Sequence, residues 1–154
     1  MTNQNNESNT GNIYRTHRVL ILGCGYIGID TALRLSESGN VVKIMDIDSE
    51  SFSRIPKDRI DSNRIEPILG DGVFEDDLRR AVRQKIDIFI AATGITSVNI
   101  TAAQLATHII KIPKVICLVD DEDIEEIYSQ IGVQILNRRK LTVEHILIDS
   151  MEQK

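Results

Sequence analysis

With 154 residues, 42% of them hydrophobic, the chain is long enough to bury one proper core and reads as a single domain plus tails. Its formal net charge of −5 offers no basic field to nucleic acid, and no Lys/Arg stripe interleaved with aromatics is there to grip one. No apolar run reaches the roughly 18 to 20 residues of a membrane span, and the N-terminus lacks the basic and apolar parts of a signal peptide, so a cytoplasmic protein without direct membrane insertion is expected.

Residues 1–16 are rich in Asn, Ser and Thr, show no periodicity, and read as a disordered leader. From there, strand and helix alternate. Strands are expected at 18–23, 41–46, 65–69, 87–92, 115–119 and 133–136, and helices at 26–38, 49–55, 75–84, 97–111, 121–130 and 141–152. The strands are short apolar runs, such as Ile86 to Ala92, and the helices carry an apolar stripe, such as Leu78, Ala81 and Val82. This alternation predicts an α/β fold of βαβ units: a Rossmann-like, doubly wound, six-stranded parallel sheet with right-handed crossovers. Its ligand crevice is expected at the carboxyl ends of the strands, where the strand order reverses.

The first strand end carries the strongest motif. Val19 to Leu22 run into Gly23-Cys24-Gly25-Tyr26-Ile27-Gly28, a G-x-G-x-x-G turn between an apolar strand and an amphipathic helix. Gly23 gives the tight turn, Gly25 lets a pyrophosphate approach the main chain, and Gly28 lets the helix pack closely on the strand. The helix N-terminus at Tyr26 directs free N–H groups at the phosphates. Asp46 ends the second strand about 20 residues further on, where a carboxylate meets ribose hydroxyls. Asp46 thus points to a free ribose diol and to NAD(H), ATP, ADP or AMP rather than a 2′-phosphate, with its neighbour Ile47 counted among the cofactor-binding residues. Asp46 and Asp48 can instead cap the next helix, which is the preferred reading for Asp48. The third strand ends in Gly70-Asp71-Gly72, where Asp71 either meets an adenine edge or serves the turn as a cap. The fourth ends at Thr93-Gly94, a small residue and a hydroxyl facing the first loop, with Asn99 in the next helix as a polar contact or a surface residue.

In order and spacing, the glycine turn, Met45 to Asp48, Gly70 to Gly72, Ala91 to Gly94, Val98-Asn99, Val115 to Val119, and Ile131 to Val133 followed by Leu141-Thr142 resemble an RCK N-terminal domain, also called TrkA-N or KTN. The resemblance covers about residues 17–150. It implies a non-enzymatic sensor that binds NAD(H) or an adenine nucleotide and assembles into a homodimer or ring. It further implies control of a membrane potassium channel or transporter subunit from the inner face of the membrane. On this reading residues 17–138 form the nucleotide-binding domain and 139–154 a C-terminal crossover helix that contacts a dimer partner through Leu141, Val143, Ile146, Leu147 and Met151; the bland alternative is an amphipathic helix packed on its own sheet.

Three positions depart from that family's pattern. Tyr26 stands where members often have a phosphate-reaching Arg, and Leu118 stands where many have an Arg in the fifth strand. Arg139, flanked by Arg138 and Lys140, takes the place of the Glu that holds a cation before the crossover helix. Fewer cations favour NAD(H), AMP or ADP over ATP.

The rival function is a small NAD-dependent oxidoreductase, or the cofactor-binding part of one. Hydride transfer also requires a substrate pocket with an acid or base. His17, His108 and His145 fall at no predicted strand end. Cys24 lies at a helix N-terminus that can activate a thiol, but its position in the turn is more often a packing one. Cys24 and Cys117 have neither metal spacing nor a disulfide context. The acids at 120–123 read as helix-start residues meeting the helix dipole, as do Glu75, Asp76 and Asp77, rather than as a metal site.

Overall fold

A computed structural model describes residues 15–128 and 130–151. Except for Arg15 and Thr16, the expected leader lies outside these described residues. Six strands form one sheet: β1 (Arg18–Leu22), β2 (Val41–Asp46), β3 (Ile65–Leu69), β4 (Ile88–Ala91), β5 (Lys114–Val119) and β6 (Gln134–Asn137). All pair in parallel, in the order β3-β2-β1-β4-β5-β6. The order reverses between β1 and β4, so the expected doubly wound, Rossmann-like sheet is the one found.

Burial on both faces explains why the strands read as unbroken apolar runs. Along β1, Leu20 and Leu22 enter one core layer with Met45, Phe89 and Cys117, whereas Val19 and Ile21 enter the other with Val42 and Ile44. Helix α1 (Tyr26–Glu37) closes the second layer with Ile29 and Ala32. Helices α3 (Glu75–Ala81) and α4 (Thr96–Gln104) close the first with Leu78, Ala81, Ile100, Ala102 and Ala103. Pro67 sits in β3, an edge strand, where a missing N–H leaves no ladder bond unmade on the outer side. Lys43, in the middle of β2, is buried; its Nζ donates to the Ala81 carbonyl at 3.2 Å and pairs with Glu66 at 3.4 Å.

Four elements depart from expectation. The helix expected at 49–55 is a 3-10 helix, Ser49–Arg54, and a short helix α2 (Lys57–Asp61) follows that periodicity did not predict. Helix α4 ends at Gln104 and continues through Leu105–Ile109 as a π-helical turn. Beyond α5 (Glu122–Tyr128), the last helix, α6 (Arg138–Met151), begins before the expected residue 141. Asn137 caps it, accepting a hydrogen bond from the Lys140 N–H at 3.0 Å, and so starts the helix directly at the end of β6.

Candidate functional site

The strand order reverses beside the glycine loop, and there a cleft of about 250 Å³ opens, lined by residues from four strand ends. Gly23, Asp46, Ile47, Asp71, Gly72, Thr93 and Gly94 all face it. The loop after β1 owes its shape to two close approaches. Gly23 has φ +106°, a conformation reserved for glycine, and a Cβ there would lie 2.9 Å from the Ala92 carbonyl carbon. A Cβ on Gly28 would lie 1.9 Å from the Gly23 carbonyl oxygen, so only glycine lets α1 sit this close to the turn. Gly25 differs: a Cβ there would meet nothing within 4 Å. Its missing side chain leaves open space above the first amides of α1. Those amides have no partner within the helix, no side chain caps them, and the first turn holds no acid.

Asp46 ties the end of β2 to that loop. Its Oδ2 accepts the Cys24 N–H at 2.7 Å and its Oδ1 accepts the Asp48 N–H at 2.9 Å. Each carboxylate oxygen keeps a further lone pair for a ligand hydroxyl. Asp48 takes the capping role expected of it, accepting the Glu50 N–H at the start of the 3-10 helix. Cys24 is wholly buried, its thiol 3.5 Å from the Ser51 carbonyl, and burial pushes that thiol's pKa up. A thiol so placed packs against the 3-10 turn; it is held away from the thiolate form a nucleophile needs. Ile27 is exposed on the outer side of α1.

The remaining loops are braced from within. Asp71 Oδ1 accepts the Val73 N–H at 3.1 Å, the turn-serving role weighed for it, while Gly72 presses on Leu22, where a Cβ would come within 2.4 Å of Cδ2. Asn99 is fully buried and lies behind the cleft, which turns the surface alternative aside. Its Oδ1 accepts from the Thr93 N–H at 2.9 Å and the Thr93 hydroxyl at 2.6 Å, and its Nδ2 donates to the Thr93 and Leu118 carbonyls at 3.0 Å each. The Thr93 hydroxyl thus serves the loop itself: besides Asn99 it has the Ile95 carbonyl as an acceptor at 3.2 Å, and it accepts the Ile95 N–H at 3.2 Å. Replacing Asn99 with Leu strands the Thr93 N–H and the Leu118 carbonyl; we expect a loss of about 3 kcal/mol and a melting temperature lower by on the order of 10 °C. Thermal denaturation followed by circular dichroism checks this, and an unchanged melting temperature with lost ligand binding would instead make Asn99 a ligand contact.

Two residues outside the expected set also belong to this neighbourhood. Arg138, the first residue of α6, forms a bidentate pair with Asp120 at the end of β5, with Nε 2.9 Å from Oδ1, and its Nη1 donates to the Thr93 carbonyl at 3.4 Å. This pairing holds the Asp120 carboxyl below the usual carboxylate range. Arg54, on the 3-10 helix, lies over the Tyr26 ring. A larger cleft of about 460 Å³ lies between α5 and α6, lined by Asp121, Glu122, Asp123, Arg139 and Glu144 among others, away from the glycine loop. Among the described residues no group of three or more His, Cys, Asp or Glu is placed to hold a metal ion, and no helix is long and apolar enough to cross a membrane.

The family model of the TrkA-N domain matches residues 19–137. A Trk system potassium uptake protein TrkA of Streptomyces coelicolor is 27% identical over 129 residues, covering 84% of this chain and 56% of that protein. The chain therefore spans about half the length of that curated relative. Among solved structures, the Kef C-terminal domain of Shewanella denitrificans in AMP-bound form is 20% identical with a TM-score of 0.71, covering 87% of this chain and 79% of that one. The GsuK RCK domain is 18% identical with a TM-score of 0.70, covering 89% of this chain and 29% of that one.

Proposed function

This chain belongs to the TrkA-N domain family, and on that premise we propose that it is the nucleotide-sensing regulatory module of a potassium transport system. The observation that carries this reading is that the Asp46 carboxylate, which lines the cleft, holds through the Cys24 N–H the loop whose Gly25 leaves open space before the uncapped start of α1. Phosphates sit at the amides of Gly25 to Gly28, and a ribose diol bonds to Asp46. Ile47, Asp71, Gly72, Thr93 and Gly94 frame the rest of the ligand, and Asn99 fixes the loop that carries Thr93. NAD(H), ADP or AMP suit the site better than ATP. The Kef domain that matches this fold was solved with AMP, which supports an adenine nucleotide here.

The module senses rather than catalyses. Asp46 and Asp71 are the ionisable residues lining the cleft, and backbone N–H groups engage both. Signal leaves the cleft through Thr93, whose carbonyl is bonded to the first residue of α6. That helix leaves Leu141, Val143, Ile146, Leu147, Ile148 and Met151 exposed, a face suited to a second copy of the chain in a dimer or ring. A membrane potassium channel or transporter subunit, met at the inner face of the membrane, receives the change. Binding shifts the assembly only to the extent that the ligand prefers one of its conformations.

Isothermal titration of NAD⁺, NADH, NADP⁺, ATP, ADP and AMP into the protein tests the reading. We expect saturable binding of NAD(H) or ADP and weaker binding of NADP⁺, whose 2′-phosphate meets Asp46; a flat trace with every nucleotide would overturn it. Steady NADH turnover with a small substrate would favour the oxidoreductase reading instead.

A further inference from the structure

The glycine loop, residues 23–28, carries no cationic side chain of its own, yet an arginine lies beside it. Arg54, at the end of the 3-10 helix after β2, places its guanidinium carbon 5.4 Å from the centroid of the Tyr26 ring. Tyr26 is the first residue of α1 and 81% exposed, so its ring offers a face as a seat beside the start of that helix. Cation–π contact holds a guanidinium there while leaving its N–H groups to other partners.

Those N–H groups are uncommitted. Arg59, Arg79, Arg80 and Arg138 pair with Glu37, Glu75, Asp77 and Asp120 respectively. Arg54 is exposed and has no carboxylate partner among the described residues.

We propose that Arg54, seated on Tyr26, is the phosphate-recognising cation at the start of α1 and selects ligands bearing a diphosphate over those bearing one phosphate. The inference rests on the nucleotide-sensing reading. One phosphate takes the uncapped amides of α1; the next takes the guanidinium, whose planar fork matches phosphate oxygens. A dinucleotide or nucleoside diphosphate uses both, and a monophosphate uses only the amides.

Titration of ADP, AMP and adenosine into wild type, Arg54→Gln and Tyr26→Ala decides it. Arg54→Gln should weaken ADP about tenfold, weaken AMP less, leave adenosine unchanged and flatten the salt dependence of ADP binding. Tyr26→Ala, which removes the seat but not the cation, should reduce the preference for ADP over AMP by a smaller factor. Both residues are exposed, so melting temperatures should stay at the wild-type value. An unchanged ratio of ADP to AMP affinity in Arg54→Gln, with wild type binding both, overturns the role of Arg54 and leaves the nucleotide site standing. Equal weakening of all three ligands overturns it as well. Absence of binding by wild type overturns the nucleotide reading and this inference with it.

Discussion

Gly25→Ala should abolish most nucleotide affinity without disturbing the fold, and Gly28→Ala should disturb the fold itself. The two glycines are three positions apart in one motif, yet they meet opposite surroundings. At Gly25 the backbone φ of −84° suits any residue, and an added methyl projects into open space. That space is where a phosphate must come to reach the amides of α1. A methyl there keeps it at a distance, and loss of two charge-assisted hydrogen bonds predicts a drop on the order of 100-fold in affinity. The melting temperature should match wild type.

At Gly28 the methyl would overlap the Gly23 carbonyl oxygen at 1.9 Å, with Ile21 Cγ2 behind it at 3.6 Å. Backbone cannot yield as a flexible side chain can, so α1 must lift off β1. That opens the core layer in which Ile29 and Ala32 pack against Val19 and Ile21. We expect a loss of about 3 kcal/mol or more and a melting temperature lower by on the order of 10 °C. Calorimetric melting and titration of the same two samples separate these outcomes. A Gly25→Ala protein that binds as wild type would mean that phosphates do not sit on this loop.

Parallel strands buried on both faces print themselves as apolar runs, which is why the sheet and its strand ends could be read directly. The glycine turn was legible for a related reason: the backbone demands at Gly23 and Gly28 exclude other residues, so they surface as residue identity. What escaped depends on pairs distant in sequence. Asp120 and Arg138 meet only because β5 and α6 end side by side, and each alone looks like a solvated charge. Asn99 in the first turns of a helix reads the same whether it faces water or, as here, clamps Thr93 to Leu118. Arg54 lies over Tyr26 only because the 3-10 turn folds back toward α1. Helix α2, five residues long, spans too few turns for an apolar stripe to repeat. The start of α6 did carry a signal in Asn137, a capping residue ahead of Arg138-Arg139-Lys140, but the charged first turn shows no apolar stripe to mark it as helix.

Asp46 carries the second large effect, and its bonds dictate how it must be tested. Replacing it with Ala removes the ribose acceptor, and it also orphans the Cys24 N–H inside a buried turn. That alone costs about 1 to 3 kcal/mol of stability. Substitution by Asn is no cleaner, because its amide would set N–H against the Cys24 or the Asp48 N–H. We expect Asp46→Ala to lower ADP affinity on the order of 100-fold, combining lost ribose bonds with a loosened loop. A double-mutant cycle with 2′,3′-dideoxy-ADP divides the two causes. In wild type, removing both hydroxyls should cost about tenfold; in Asp46→Ala, removing them should cost nothing further. Preference for NAD⁺ over NADP⁺ should collapse in the same variant, since the charge that repels the 2′-phosphate is gone. If Asp46→Ala still loses tenfold on removal of the hydroxyls, its carboxylate only ties the glycine loop to β2, and the ribose is recognised by other groups.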